Sequence, residues 1–141
     1  MIKKNFKVLS IDHIAIASKD FSDLEHLFSE VLGLTSTKKE RVKTELVDVL
    51  KLYSEDNKTA IELLEPIENN TTVRKFLNSK IQGIHHIALT VDNISNAISY
   101  LKYKDIKLVY EKPKIGSDNK LITFIHPKSS PGILIELCQN Q

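Results

Sequence analysis

A single cysteine, Cys138, leaves the 141-residue chain without the means for an intramolecular disulfide, so no covalent staple supports the fold. The thiol follows the apolar Leu134 to Leu137 run, where it reads as a small core residue, and a reducing compartment fits. No apolar run is long enough to span a bilayer. The basic start, Met1 to Lys7, leads into Asp12-His13 rather than a hydrophobic stretch, so neither a signal peptide nor a membrane anchor is expected. Charge of one sign is also missing: 20 basic against 18 acidic residues leave a net charge of +2, too small to imply a nucleic-acid partner. Low-complexity segments and long linkers are absent as well. The expectation is one cytoplasmic domain over residues 1–141, of ordinary globular composition at 41% hydrophobic and 27% charged residues.

What the chain does contain is a repetition. Asp12-His13-Ile14-Ala15-Ile16 has a counterpart in His85-His86-Ile87-Ala88-Leu89, 73 residues further on. Ile61-Glu62-Leu63 and Ile135-Glu136-Leu137 follow the two histidines after 49 and 50 residues. A unit of that length is too long for a solenoid repeat, and it indicates two pseudo-symmetric halves.

Each half reads in the same order. Val8 to Ala17 is a strand rich in β-branched residues. Asp20 is placed to cap a helix in which Phe21, Leu24, Leu27, Phe28, Val31 and Leu32 recur at helical spacing until Gly33. Strands follow at Leu46 to Tyr53 and Ala60 to Leu64, with Pro66 as the stop. Thr71 to Leu77 reads as a connecting helix. The second half offers a strand at Ile84 to Val91, a helix capped by Asp92 or Asn93, and strands at Lys107 to Tyr110, Leu121 to His126 and Gly132 to Cys138. Module one covers about residues 8–66 and module two about 82–138.

Strand parity carries the chemistry. Side chains alternate, so His13 shares a face with Ala15 and Ala17, and His86 shares one with Ala88. Glu62 and Glu136 oppose their flanking isoleucine and leucine. Carboxylates on apolar strands are costly unless paired or metal-bound, and two imidazoles are natural company for a divalent ion. If the halves face each other, His13, Glu62, His86 and Glu136 converge on one metal site. His85 points to the other face and reads as structural, whereas His26 and His126 read as solvated or packing residues.

At these residues the chain resembles the vicinal oxygen chelate superfamily, and within it the methylmalonyl-CoA epimerases. The resemblance runs through Ile11-Asp12-His13-Ile14-Ala15, Ile61-Glu62-Leu63-Leu64-Glu65-Pro66 and Gly83-Ile84-His85-His86-Ile87-Ala88-Leu89. It continues from Lys114-Ile115-Gly116 through His126-Pro127-Lys128-Ser129 to Gly132-Ile133-Leu134-Ile135-Glu136-Leu137, and this last stretch discriminates best. The implied fold is α+β, with two βαβββ modules forming an open cup-like sheet around a metal. The implied ligands are His13, Glu62, His86 and Glu136, on cobalt, zinc, nickel or manganese.

The implied activity interconverts the 2R and 2S forms of methylmalonyl-CoA through an enolate, with an acyl-CoA as the small-molecule partner and a homodimer as the assembly. The family's acidic base on a first-module strand maps onto Val47-Asp48-Val49, so Asp48 is the candidate base, with Glu45 in its place if the register slips. Glu136 is a second candidate for proton exchange. Lys114, Lys120 and Lys128 lie where coenzyme A phosphates would pass, but read as ordinary surface lysines. A lactoylglutathione lyase is the alternative enzyme. A non-catalytic metabolite- or drug-binding protein of the same fold is the alternative from another class.

Overall fold

A computed structural model describes residues 1–78 and 82–141. The chain forms two compact units, one of residues 13–85 and one of residues 1–12 with 86–141.

In the unit of residues 13–85, β1 (Val8–Ser18) contributes the portion from His13 onward. The chain then turns into a helix, α1 (Ser22–Glu25), which continues as a wider π turn through His26–Val31. Asp20 supports this start by accepting bonds from both the backbone N–H and the hydroxyl of Ser22. Gly33 ends the turn at φ +83, a left-handed conformation that glycine adopts without a Cβ penalty. The short strands β2 (Thr35–Ser36) and β3 (Glu40–Val42) both pair with β4 (Val47–Tyr53). β5 (Ala60–Pro66) runs between β4, to which it is antiparallel, and β1, to which it is parallel. The helix α2 (Thr72–Phe76) closes the unit.

One face of this sheet packs Leu50, Leu52 and Leu63 against Phe21, Leu24 and Phe28 of the first helical segment. The other packs Ala15, Ala17, Val47, Val49 and Leu64 against Val73 and Leu77 of the α2 region. Both faces are covered because β4 and β5 are nearly continuous in apolar side chains.

The second unit repeats the plan. β6 (Gln82–Val91) enters it at His86 and lies parallel to β9 (Ile135–Gln139), which pairs antiparallel with β8 (Leu121–Ile125). β7 (Lys114–Ile115) forms the outer edge on β8. The helix α3 (Ile94–Tyr103) is capped by Asn93, whose side-chain oxygen accepts from the Asn96 N–H at 2.9 Å. Its Ile94, Ala97 and Ile98 pack on Val91 and Leu137.

The strand expected at Lys107 to Tyr110 is absent. That stretch makes a single bridge, Leu108 to Ile125, formed by the bonds from the Val109 N–H to the Phe124 carbonyl and from the His126 N–H to the Lys107 carbonyl, too few for a ladder. No helix among the described residues is long and apolar enough to cross a membrane.

Leu63 is 0% exposed at the centre of the helix-covered face. Replacing it with alanine should cost about 2–5 kcal/mol, read as a lowered urea midpoint at unchanged slope.

Candidate metal centre

The register puts the polar residues where parity placed them. In the first unit Ala15 is the Cα partner of Glu62, so His13, one pleat away on the same face, reaches the same carboxylate. His13 is 1% exposed, and its Nε2 lies 3.6 Å from Glu62 Oε2. In the second unit Ala88 is the partner of Glu136, and His86 Nε2 lies 3.0 Å from Glu136 Oε2. All four side chains are buried. Each unit therefore holds one imidazole beside one carboxylate at equivalent positions. Nitrogen and carboxylate donors of this kind suit a borderline or hard divalent ion, and burial gives each carboxylate need of a positive partner.

Each pair has a neighbour of its own. Phe124, the antiparallel partner of Glu136, packs its ring edge-on against His86 at 5.5 Å between centroids, which orients the imidazole. Lys51, the antiparallel partner of Glu62, brings its Nζ to 3.9 Å from Glu62 Oε2. Lys51 was not singled out by motif. Its signal is a lysine at the same parity as Val47 and Val49, on a strand face that is otherwise apolar.

Asp48 does not join this group. Its cross-strand partner is Glu65, whereas Glu62 pairs with Lys51, so Asp48 lies on the opposite face, the one covered by the first helical segment. There Arg41 donates to both carboxylate oxygens, at 2.9 and 3.1 Å, and Lys39 stands 3.7 Å away. Lys39 also donates to Glu65 at 2.9 Å. The hydrogen bonds from the Arg41 guanidinium hold the Asp48 carboxyl below the usual carboxylate range, outweighing burial, which alone would raise it. The structure thus corrects the assignment of Asp48 as a base: it is an ion-paired strut holding β3 to β4. Glu45, the alternative, lies in the turn between β3 and β4, where its backbone carbonyl accepts from Asn70 at 2.9 Å.

The remaining candidates fall out as follows. His85 meets Phe76 edge-on at 5.0 Å and is a packing residue. His26 and His126 are exposed, and His126 Nδ1 accepts from the Lys128 N–H. Lys120 is not a rim lysine. Its Nζ donates to Asp12 Oδ1 at 2.7 Å, and Asp12 also accepts from Thr90 at 3.1 Å. Cys138 lies in the same region, its thiol pushed up by burial to about 12, which makes it unreactive as a thiolate.

Residues 12–124 match the Glyoxalase/Bleomycin resistance protein/Dioxygenase superfamily. The chain belongs to this superfamily. Its mixed α+β architecture is the superfamily's fold. The mitochondrial methylmalonyl-CoA epimerase of Homo sapiens is 35% identical over 130 residues, which are 92% of this chain and 73% of that protein. Methylmalonyl-CoA epimerase from Mycobacterium tuberculosis superposes with a TM-score of 0.90 at 28% identity, covering 95% of this chain and 89% of that one. A methylmalonyl-CoA epimerase solved in complex with methylmalonyl-CoA and NH4+ superposes with a TM-score of 0.86 at 28% identity, covering 95% and 96%.

The strut yields a pH-dependent prediction. Because the folded-state pKa of Asp48 is lowered, its stabilisation is present above the ordinary value of 3.8 and is lost as pH falls through the folded value. Asp48→Asn should therefore lower the urea midpoint at pH 7. The gap to wild type should close as the pH is brought below about 4.

Proposed function

We propose that this protein is a metal-dependent methylmalonyl-CoA epimerase, interconverting the 2R and 2S forms. The observation that carries the reading is the buried histidine–glutamate pair repeated at equivalent register in each unit, in a chain whose relatives bear that name. In this reading residues 1–141 act as one domain, and the two modules, about 8–66 and 82–138, form an open cup. His13, Glu62, His86 and Glu136 would together hold one divalent ion, of the class that includes cobalt, zinc, nickel and manganese. Such an ion, when bound, supplies Lewis-acid stabilisation for negative charge developing on a thioester oxygen.

The chain's own residues then divide the remaining work. His13 and His86 present nitrogen donors from apolar strands, beside the small side chains of Ala15 and Ala88. Phe124 keeps His86 from rotating. Glu136, beside His86, is the group to which proton exchange at C2 is assigned, a positioned general base of the kind that contributes about 10²–10⁴ in rate. Asp48 is given no proton, since Arg41 and Lys39 occupy its carboxylate on the other face. The acyl-CoA substrate follows from the relatives. A homodimer and a cytoplasmic location are carried by the resemblance.

The test is isotopic. In heavy water, cobalt-loaded protein should place deuterium at C2 of methylmalonyl-CoA and equilibrate the two epimers, and chelator-treated protein should do neither. Fully metallated protein that leaves both C2 and the epimer ratio unchanged would refute the epimerase reading.

A further inference from the structure

The residue that neither the fold nor the proton chemistry accounts for is Lys51. It is 4% exposed, as deeply buried as Glu62 itself, and it sits on the same sheet face of the first unit as His13 and Glu62. Lysines are almost never this buried without a reason, because removing an ammonium from water is costly. The duplication shows that the sheet does not demand it. At the equivalent register in the second unit, opposite Glu136, stands Phe124, and the strand is satisfied with an apolar ring there. Glu62 Oε2 lies between two basic groups, 3.6 Å from His13 Nε2 and 3.9 Å from Lys51 Nζ.

Charge counting gives this departure a purpose. A divalent ion held by two carboxylates is electrically neutral, and such a site has no net attraction for an anion. The Lys51 ammonium adds one fixed positive charge at the wall of the site, in surroundings where water screens it poorly. An acyl group that carries a free carboxylate next to its thioester brings the matching negative charge, and an uncharged acyl group does not. We propose that Lys51 is a specificity-determining residue: its buried ammonium, held beside Glu62, selects acyl thioesters bearing a free carboxylate over uncharged ones. The same charge must work against the metal, because the ammonium and a divalent ion both draw on Glu62. This assignment rests on the epimerase reading above.

The experiment uses the full chain loaded with cobalt and compares binding of methylmalonyl-CoA with propionyl-CoA, which shares the coenzyme and lacks the carboxylate. Calorimetry should show wild type favouring methylmalonyl-CoA, and Lys51→Met should shrink that preference by about tenfold while leaving propionyl-CoA affinity unchanged. Lys51→Arg, which keeps the charge, should retain most of the preference. In a second readout, competition against a chelator, Lys51→Met should bind cobalt more tightly than wild type. If Lys51→Met unfolds, Lys51→Gln carries the same two comparisons. A neutral variant that keeps the wild-type preference, or that binds cobalt more weakly, overturns the role of Lys51. Failure of the functional reading looks different: wild type itself then shows no preference and no exchange at C2, and both assignments fall together.

Discussion

Two carboxylates buried on apolar sheet faces are the constraint around which this protein is organised. Glu62 and Glu136 project from β5 and β9, where they are flanked by Ile61 and Leu63 and by Ile135 and Leu137. A carboxylate in such a setting destabilises the fold unless a positive or hydrogen-bonding group meets it. The register of each parallel strand pair provides that group by bringing a histidine of the neighbouring strand alongside, through Ala15 opposite Glu62 and Ala88 opposite Glu136. The alanines are part of the arrangement, since a larger side chain at either position would crowd the space between imidazole and carboxylate. The far faces are covered by helices, the segment beginning at α1 over Leu50, Leu52 and Leu63 and α3 over Leu137, whereas the α2 region packs on the face that carries His13 and Glu62.

The two units are alike in backbone plan and unlike in what surrounds the pair. In the second unit the setting is aromatic, with Phe124 against His86 and Tyr110 against Phe124. In the first it is ionic, with Lys51 at Glu62. A duplicated scaffold thus offers two walls of opposite character, one that fixes a ring by packing and one that adds charge. The ionic groups on the opposite face of the first unit serve another end. Arg41, Asp48, Lys39 and Glu65 tie β3, β4 and β5 together, and Lys39 lies over the Phe21 ring at 5.2 Å.

Much of this was legible in the order of residues, and the exceptions have physical causes. The strands β1, β5, β6 and β9 carry strong alternation or short apolar runs between turn residues, so their presence and the parity of His13, His86, Glu62 and Glu136 could be read directly, although β9 begins at Ile135 rather than Gly132. The stretch from Lys107 to Tyr110 has the composition of a strand, but strand formation needs a ladder along its length, and here the pairing stops at the one bridge between Leu108 and Ile125. Asp48 was misplaced for a related reason. A motif assigns a residue to a strand, whereas which side chain of the next strand it meets depends on cross-strand register, set here by the turn joining β4 to β5. Counted from that register, Lys51 rather than Asp48 faces Glu62. Lys120 likewise looked like a surface lysine until tertiary packing brought it to Asp12, more than a hundred residues away in sequence.

The proposed function requires that two half-sites of one imidazole and one carboxylate act as a single centre for one ion. Its most direct test is the stoichiometry of cobalt bound to wild type, His13→Ala and His86→Ala, by equilibrium dialysis with elemental analysis. The account predicts one tightly bound ion per wild-type chain and loss of that ion in either variant, because each removes a ligand of the same centre. Two ions per chain in wild type, with one retained in each variant, would contradict it.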